Sequence, residues 1–142
     1  MKLIELTEQD YELVREAQAV ITKYYELGRH HIGAALRTKC GEIFTAVHLE
    51  ANVGRVSVCA EAIVIGKAIS EGYNEFASIV AVRHPDRDEE NQEIRVVAPC
   101  GICRELLSDY ETDISILIPH EQTLKKVYVN ELLPLKYSRT SS

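Results

Sequence analysis

A-P-C-G-I-C-R-E, Ala98 to Glu105, sets two cysteines three residues apart directly behind a proline. Pro99 lacks the amide proton that the first turn of a helix leaves unused, so the stretch reads as a helix start, with the helix running to about Tyr110. Just upstream, H-P-D-R-D-E-E-N-Q-E (84–93) is too polar for a core, and residues 84–98 read as an exposed loop. Before that loop, F-A-S-I-V-A-V (76–82) is a short apolar run of the kind seen in a strand buried on both faces. A strand, a loop and a helix with paired cysteines at its tip make the centre of the chain an alternation of β and α. Spacing alone leaves Cys100 and Cys103 open to three readings: a redox pair, half of a structural zinc clip, or part of a catalytic metal site.

Working outward, residues 114–118 and 127–129 read as strands, followed by a turn of helix at 130–133 and a polar tail over 134–142. Toward the amino terminus, a second helix spans about Cys59 to Glu71 and stops at Gly72. H-I-G-A-A-L (31–36) and I-F-T-A-V-H-L (43–49) alternate like strands, and Gly41 supplies the turn of a hairpin between them. Leu13, Val14, Ala17, Val20, Ile21 and Tyr24 fall near helical spacing between Thr7 and Gly28, which predicts an amphipathic helix over 7–27 with Thr7 as cap and Asp10 in the usual place of Glu. The order α-β-β-α-β-α-β-β predicts an α/β fold: one mixed five-stranded sheet with helices on its faces. At 142 residues the chain reads as a single domain, with an N-terminal helix in 1–28 and the tail at 134–142.

Composition narrows the function. The formal charge is −6, with 22 acidic against 16 basic residues and no Lys/Arg stripe, which argues against a nucleic acid polymer as partner. Apolar runs fall well short of the roughly 18 residues of a membrane span, so no membrane partner is expected. The start, M-K-L-I-E-L-T-E-Q-D, resembles neither an export signal nor a transit leader, and a cytoplasmic location is expected. In that compartment, Cys40, Cys59, Cys100 and Cys103 read as metal ligands or thiols rather than a disulfide framework, with Cys40 a plain turn residue beside Gly41.

C-A-E at Cys59 to Glu61 supplies a third thiolate and a carboxylate at the start of another helix. Side chains two apart on a helix diverge, so Cys59 and Glu61 can converge only beyond the helix tip, whereas Cys100 and Cys103 share a face of their own helix. A zinc ion with three thiolates carries a net −1, and two helix amino termini, each worth about half a positive charge, offset that excess. Three protein ligands and one free position are the arrangement of a catalytic zinc. Glu61 is then the group placed to handle the proton of a water molecule.

At these residues the sequence resembles the zinc-dependent cytidine deaminases, including the branch that inactivates blasticidin S, whose signature is [H/C]-x-E followed by P-C-x-x-C. The likeness covers about residues 30–137, through I-G-A-A-L (32–36), I-F-T-A-V (43–47), C-A-E-A-I-V-I-G (59–66), P-C-G-I-C-R (99–104) and E-L-L-P (131–134). It implies an α/β/α layered fold and one Zn2+ per subunit held by Cys59, Cys100 and Cys103. Glu61 becomes the proton shuttle for hydrolysis of a cytosine amino group to the uracil form. The resemblance further implies that Glu50 binds sugar hydroxyls, that Ala60 and Pro99 meet the base through main-chain groups, and that Tyr137 belongs to a lid over a small-molecule nucleoside. It also implies a homotetramer whose sites neighbouring subunits complete. His30 and His48 stand where the nucleoside enzymes usually carry Phe and Asn, and both places touch substrate recognition. Ala62 replaces an Arg common after C-A-E, as an apolar residue does in the blasticidin branch. Two rivals follow: the same chemistry on another aminated base, or a non-enzymatic module whose zinc is closed by His84 or another histidine.

Overall fold

The computed structural model describes residues 1–139, so positions 140–142 of the expected tail lie outside the described residues. Helix α1 (Glu8–Tyr24) opens with a complete capping box: the Thr7 hydroxyl accepts from the Asp10 amide while the Asp10 carboxylate accepts from the Thr7 amide. Strands β1 (Ile32–Thr38) and β2 (Ile43–Val47) form the hairpin, and Gly41 takes the positive φ (100°) that its turn requires. Then come α2 (Ala60–Ser70), β3 (Phe76–Arg83), β4 (Arg95–Val97), α3 (Gly101–Tyr110), β5 (Ser115–His120), β6 (Thr123–Tyr128) and a single turn, α4 (Val129–Leu132).

Five strands lie in the order β2-β1-β3-β5-β6, and a sixth, β4, pairs with β3 off that path. The sheet is mixed: β3 and β5 run parallel, as the crossover through α3 demands, and the other neighbours are antiparallel. The expected exposed loop over 84–98 is therefore corrected at its end. Val97 and Val96 pair with Ala81 and Val82, and Val96 is only 9% exposed. Three residues are too few to show alternation, and the acidic run before them masks the signal.

Helices cover both faces, and the strand period of two divides the core between them. Ala34, Leu36, Ile79, Ile116 and Ile118 face α2 and α3, packing with Val64, Ala68 and Leu107. Ala35, Val80, Val82 and Leu117 face α1, packing with Leu13, Val14, Ala17 and Ile21. On that side Gly33 is a close-approach position: a Cβ there would sit 2.7 Å from the Ala17 carbonyl oxygen and 2.9 Å from the Ile21 Cβ. None of the helices is long and apolar enough to cross a membrane, among the described residues.

Candidate active site

The starts of α2 and α3 meet on one face of the sheet, and each begins one residue after a cysteine. Cys59 is the N-cap of α2 and Cys100 the N-cap of α3, both with extended backbone, while Cys103 lies in the first turn of α3. The helix expected from Pro99 thus starts at Gly101, which carries the Cys100 sulfur past the helix tip. Neither cysteine makes a side-chain cap bond to its helix. Instead the sulfurs turn to one another: Cys59 and Cys100 Sγ are 3.8 Å apart, and all three Sγ atoms lie within 4.8 Å of one another.

This donor set fits zinc. A tetrahedral ion with Zn–S bonds of about 2.3 Å spaces its sulfurs about 3.8 Å apart. Electrostatics point the same way. Burial pushes the Cys103 thiol, 1% exposed, well above its ordinary value, and the Glu61 carboxylate raises it further. Burial also raises Cys59, more than the Cys103 thiol beside it lowers it. Cys100 goes the other way: burial raises it, but the first-turn amides of Cys103 and Ile102 and the adjacent thiols outweigh that, and the net direction is down. Three sulfurs lie in one place, and two of them resist ionisation unless a cation joins them.

Glu61 follows Cys59 by two residues and is 6% exposed. Burial raises its carboxyl, against the pull of its own amide and the Cys103 thiol. It looks into a cavity of about 300 Å3 lined by Ile32, His48, Glu50, Ser57, Val58, Cys59, Ala60, Glu61, Val97, Ala98 and Cys100. That volume is at the lower end of small-molecule sites. A larger groove of about 740 Å3 runs between α1, β2 and α2, but it contains none of the cysteines and neither Glu50 nor Glu61. The chemistry therefore lies in the smaller cavity.

On the far wall, the bridge between Leu49 and Val58 closes the segment between them and brings Glu50 opposite Ser57. Glu50 Oε1 meets His48 Nε2 at 3.1 Å and its Oε2 accepts from Ser57 Oγ at 3.3 Å. Those contacts set its acidity, His48 first: the imidazole and the hydroxyl hold the carboxyl below its ordinary range despite partial burial.

Of the residues singled out from sequence, Cys59, Cys100, Glu61, Glu50, His48 and Ala60 share this cavity, and Cys103 completes the sulfur cluster. Pro99 lies buried beneath it, sharing a narrow void with Glu61 and Val97. His30 does not line the cavity, since its Nδ1 is bound to the His48 carbonyl at 2.9 Å. Tyr137 is 79% exposed and shares a surface groove with Glu105, Leu106, Asp109 and Tyr110 of α3, outside the lining of this chain's own cavity. His84 stacks on Tyr25 with centroids 3.8 Å apart and joins no sulfur cluster among the described residues. Arg104 gives its donors to the carbonyls of Pro99 and Leu132. Sequence reading missed Ser57, Val97 and Ala98, because a lone serine and two small residues at a strand end carry no periodic or ligand-spacing signal.

Comparison with known proteins agrees with this geometry. Residues 7–117 match the family model for the cytidine and deoxycytidylate deaminase zinc-binding region. A blasticidin-S deaminase of Bacillus cereus is 56% identical over 139 residues, covering 98% of this chain and 99% of the relative. A probable cytidine deaminase of Dictyostelium discoideum is 33% identical over 108 residues, or 76% of this chain and 69% of the relative. Among solved structures, a cytidine deaminase from Burkholderia pseudomallei superposes with a TM-score of 0.73 at 26% identity, covering 93% of this chain and 100% of that one. One from Bacillus anthracis, at 23% identity, superposes with a TM-score of 0.74 over 89% of this chain and 88% of that one, which speaks to the fold. The chain is a zinc-binding member of the cytidine and deoxycytidylate deaminase family.

Proposed function

We propose that this protein is a hydrolase that replaces the 4-amino group of a cytosine nucleoside, or of a cytosine-nucleoside antibiotic of the blasticidin S type, by oxygen and releases ammonia. The observation that carries the reading is the cluster of Cys59, Cys100 and Cys103 sulfurs, of which Cys59 and Cys100 line the same cavity as the buried Glu61. Cys59, Cys100 and Cys103 hold one zinc per chain. When bound, zinc supplies Lewis acidity that can bring the pKa of water from 15.7 to around 7, worth about 12 kcal/mol in making a nucleophile.

Glu61 moves the protons. It takes one from water and gives it to ring N3 as the oxygen joins C4, then takes the proton left on that oxygen and delivers it to the exocyclic nitrogen as the C4–N bond breaks. One water is consumed, one C4–O bond replaces one C4–N bond, and ammonia leaves. Burial of Glu61 supports this role, since it raises the carboxyl above its ordinary value and so makes it a stronger proton acceptor than an exposed one. Main-chain groups around Ala60 and Pro99 hold the base, and Glu50 accepts hydrogen bonds from the sugar. Among the described residues the cavity wall has Glu50 and Glu61 but neither Lys nor Arg, which favours an uncharged nucleoside sugar over a phosphorylated one. The 56% identity to a blasticidin-S deaminase supports the antibiotic arm of the reading. Tyr137, placed away from its own chain's cavity, serves as a lid on that of a neighbouring copy in a homotetramer, and the enzyme works in the cytoplasm.

Ammonia release from cytidine, deoxycytidine, blasticidin S and guanine by zinc-loaded protein tests the proposal. Release from one or more of the cytosine compounds is expected, and Glu61→Gln should retain zinc while losing at least about 10²–10⁴ in turnover. Ammonia from guanine alone shifts the reading to another base. A Glu61→Gln variant that matches the parent's rate overturns the role of Glu61.

A further inference from the structure

The His31, His48 and Glu50 side chains bring ligand atoms within 4.8 Å of one another, a second cluster at which a metal could be imagined. The hydrogen bonds say otherwise. His48 Nδ1 receives two backbone amides at the start of β1, from His31 at 2.9 Å and Ile32 at 3.1 Å. A nitrogen that accepts two N–H groups carries no proton, so the proton of the neutral ring sits on Nε2. That Nε2–H points at Glu50 Oε1, 3.1 Å away. His31 Nε2 in turn accepts from the Gly28 amide at 2.9 Å. A cation here would have to displace backbone amides or the Nε2 proton.

The backbone around His48 is held as firmly as its ring. Its amide donates to the Ile32 carbonyl, its carbonyl meets His30 Nδ1, and the next residue but one, Glu50, donates its amide to the Arg29 carbonyl. Burial keeps the imidazole below its ordinary pKa despite the raising pull of Glu50, so the neutral form is present at pH 7. Ser57 Oγ accepts from the Ala51 amide and donates to Glu50 Oε2, completing a second hold on the same carboxylate.

We infer that His48 is a positioning residue: its tautomer is set by the His31 and Ile32 amides, and its Nε2–H, with Ser57 Oγ opposite, locks the Glu50 carboxylate so that its free lone pairs face the sugar donors of the substrate. The inference rests on the reading of Glu50 as the sugar acceptor. It assigns to His48 an action through Glu50, and to Ser57 a part in recognition that its sequence context does not announce. A carboxylate fixed at both oxygens accepts two neighbouring hydroxyls without paying rotamer entropy on binding.

Substitutions that copy one ring nitrogen at a time test it. Asparagine places an amide near the position of Nδ1, and glutamine near that of Nε2. His48→Asn keeps an acceptor for the two amides and loses the hold on Glu50. With whichever of cytidine and blasticidin S the parent turns over, it should raise KM about tenfold or more, with kcat within about threefold and zinc still one per chain. Glu50→Gln should raise KM similarly, and adding His48→Asn to it should change KM by less than about twofold, because the two act as one unit. His48→Gln keeps a donor for Glu50 and should lie closer to the parent in KM while losing thermal stability. Multiplying effects of His48→Asn and Glu50→Gln, or loss of one of two bound zinc ions in His48→Asn, would overturn the inference. An unchanged KM in Glu50→Gln refutes the sugar-acceptor reading instead. Nitrogen NMR of the His48 ring gives an arm independent of turnover: an Nε2–H tautomer at pH 7 is expected, and an Nδ1–H tautomer or an imidazolium sinks the proposal.

Discussion

Single side chains decide whether the sulfur cluster takes up metal, and they do so through protons. Cys59 and Cys103 stay protonated at neutral pH without a cation, because burial raises both. Zinc uptake must then expel those protons, and each one displaced strengthens apparent affinity about tenfold per pH unit in the range where the thiol is protonated. Zinc competition against a chelator at pH 6.5 and 7.5 should show affinity rising with pH, and a flat profile would mean that the thiols are already ionised. Cys100→Ala should bind well below one zinc per chain under conditions where Glu61→Gln binds fully, which metal analysis of the two dialysed proteins separates. Much of this site was legible in the sequence. The C-A-E and P-C-x-x-C spacings each carry a geometric constraint, and helix starts are marked by proline and by the onset of periodicity. What stayed hidden is how the His48 ring is held. Its Nδ1 accepts the amides of residues 31 and 32, contacts across the hairpin that no local spacing encodes.

At the scale of elements, the seat of α1 on the sheet turns on two positions. Gly33 of β1 leaves no room for a side chain beneath α1, and the obstructing atom is the main-chain oxygen of Ala17, which cannot rotate away. Gly33→Ala must push α1 outward and should cost about 1–3 kcal/mol, read as a lowered midpoint in urea with zinc content unchanged. The second position is Asp10, which joins the N-terminal capping box of α1 to Lys126 of β6 at 2.8 Å. Burial alone would raise its carboxyl, but Lys126 and the Thr7 amide and hydroxyl outweigh burial and leave it below its ordinary value. A depressed carboxyl contributes stability that is full above its unfolded pKa of about 3.9 and is lost as pH falls through the folded value. Asp10→Asn should therefore be less stable than the parent by about 1–3 kcal/mol at pH 6, with the gap closing below pH 4. Denaturation curves at the two pH values check the sign. The capping box was readable from Thr7 and Asp10 alone, whereas Lys126, more than a hundred residues away, was not. The same contrast separates the long strands, whose alternation survives in sequence, from β4, which exists because Val96 and Val97 find a partner in β3.

For the whole molecule, the lid role proposed for Tyr137 turns on whose cavity it covers. The tail that carries it is pinned to its own α3: Lys136 Nζ reaches the Asp109 carboxylate at 2.6 Å and Glu105 at 3.4 Å. Pinned there, the ring is 79% exposed and, among the described residues, is no part of the wall of the cavity holding Glu61. An aromatic fixed on the surface by an ion-paired neighbour suits the proposed role over a neighbouring chain. Elsewhere, Tyr24, Leu49, Val53, Val56 and Val58 are also exposed, the last four next to or within the segment that carries Glu50 and Ser57. Apolar side chains concentrated around a site's rim are what a covering subunit buries. If Tyr137 works in trans, assemblies mixing Glu61→Gln chains with Tyr137→Ala chains contain sites with an intact Glu61 under an intact tyrosine, although neither parent does. Co-expression of the two should give more activity per competent Glu61 than Tyr137→Ala alone. Sedimentation should give a mass that is a multiple of 16.0 kDa. Activity equal to the weighted mean of the two variants would place the tyrosine's effect within its own chain, and a monomer in sedimentation would remove the neighbour that the lid requires.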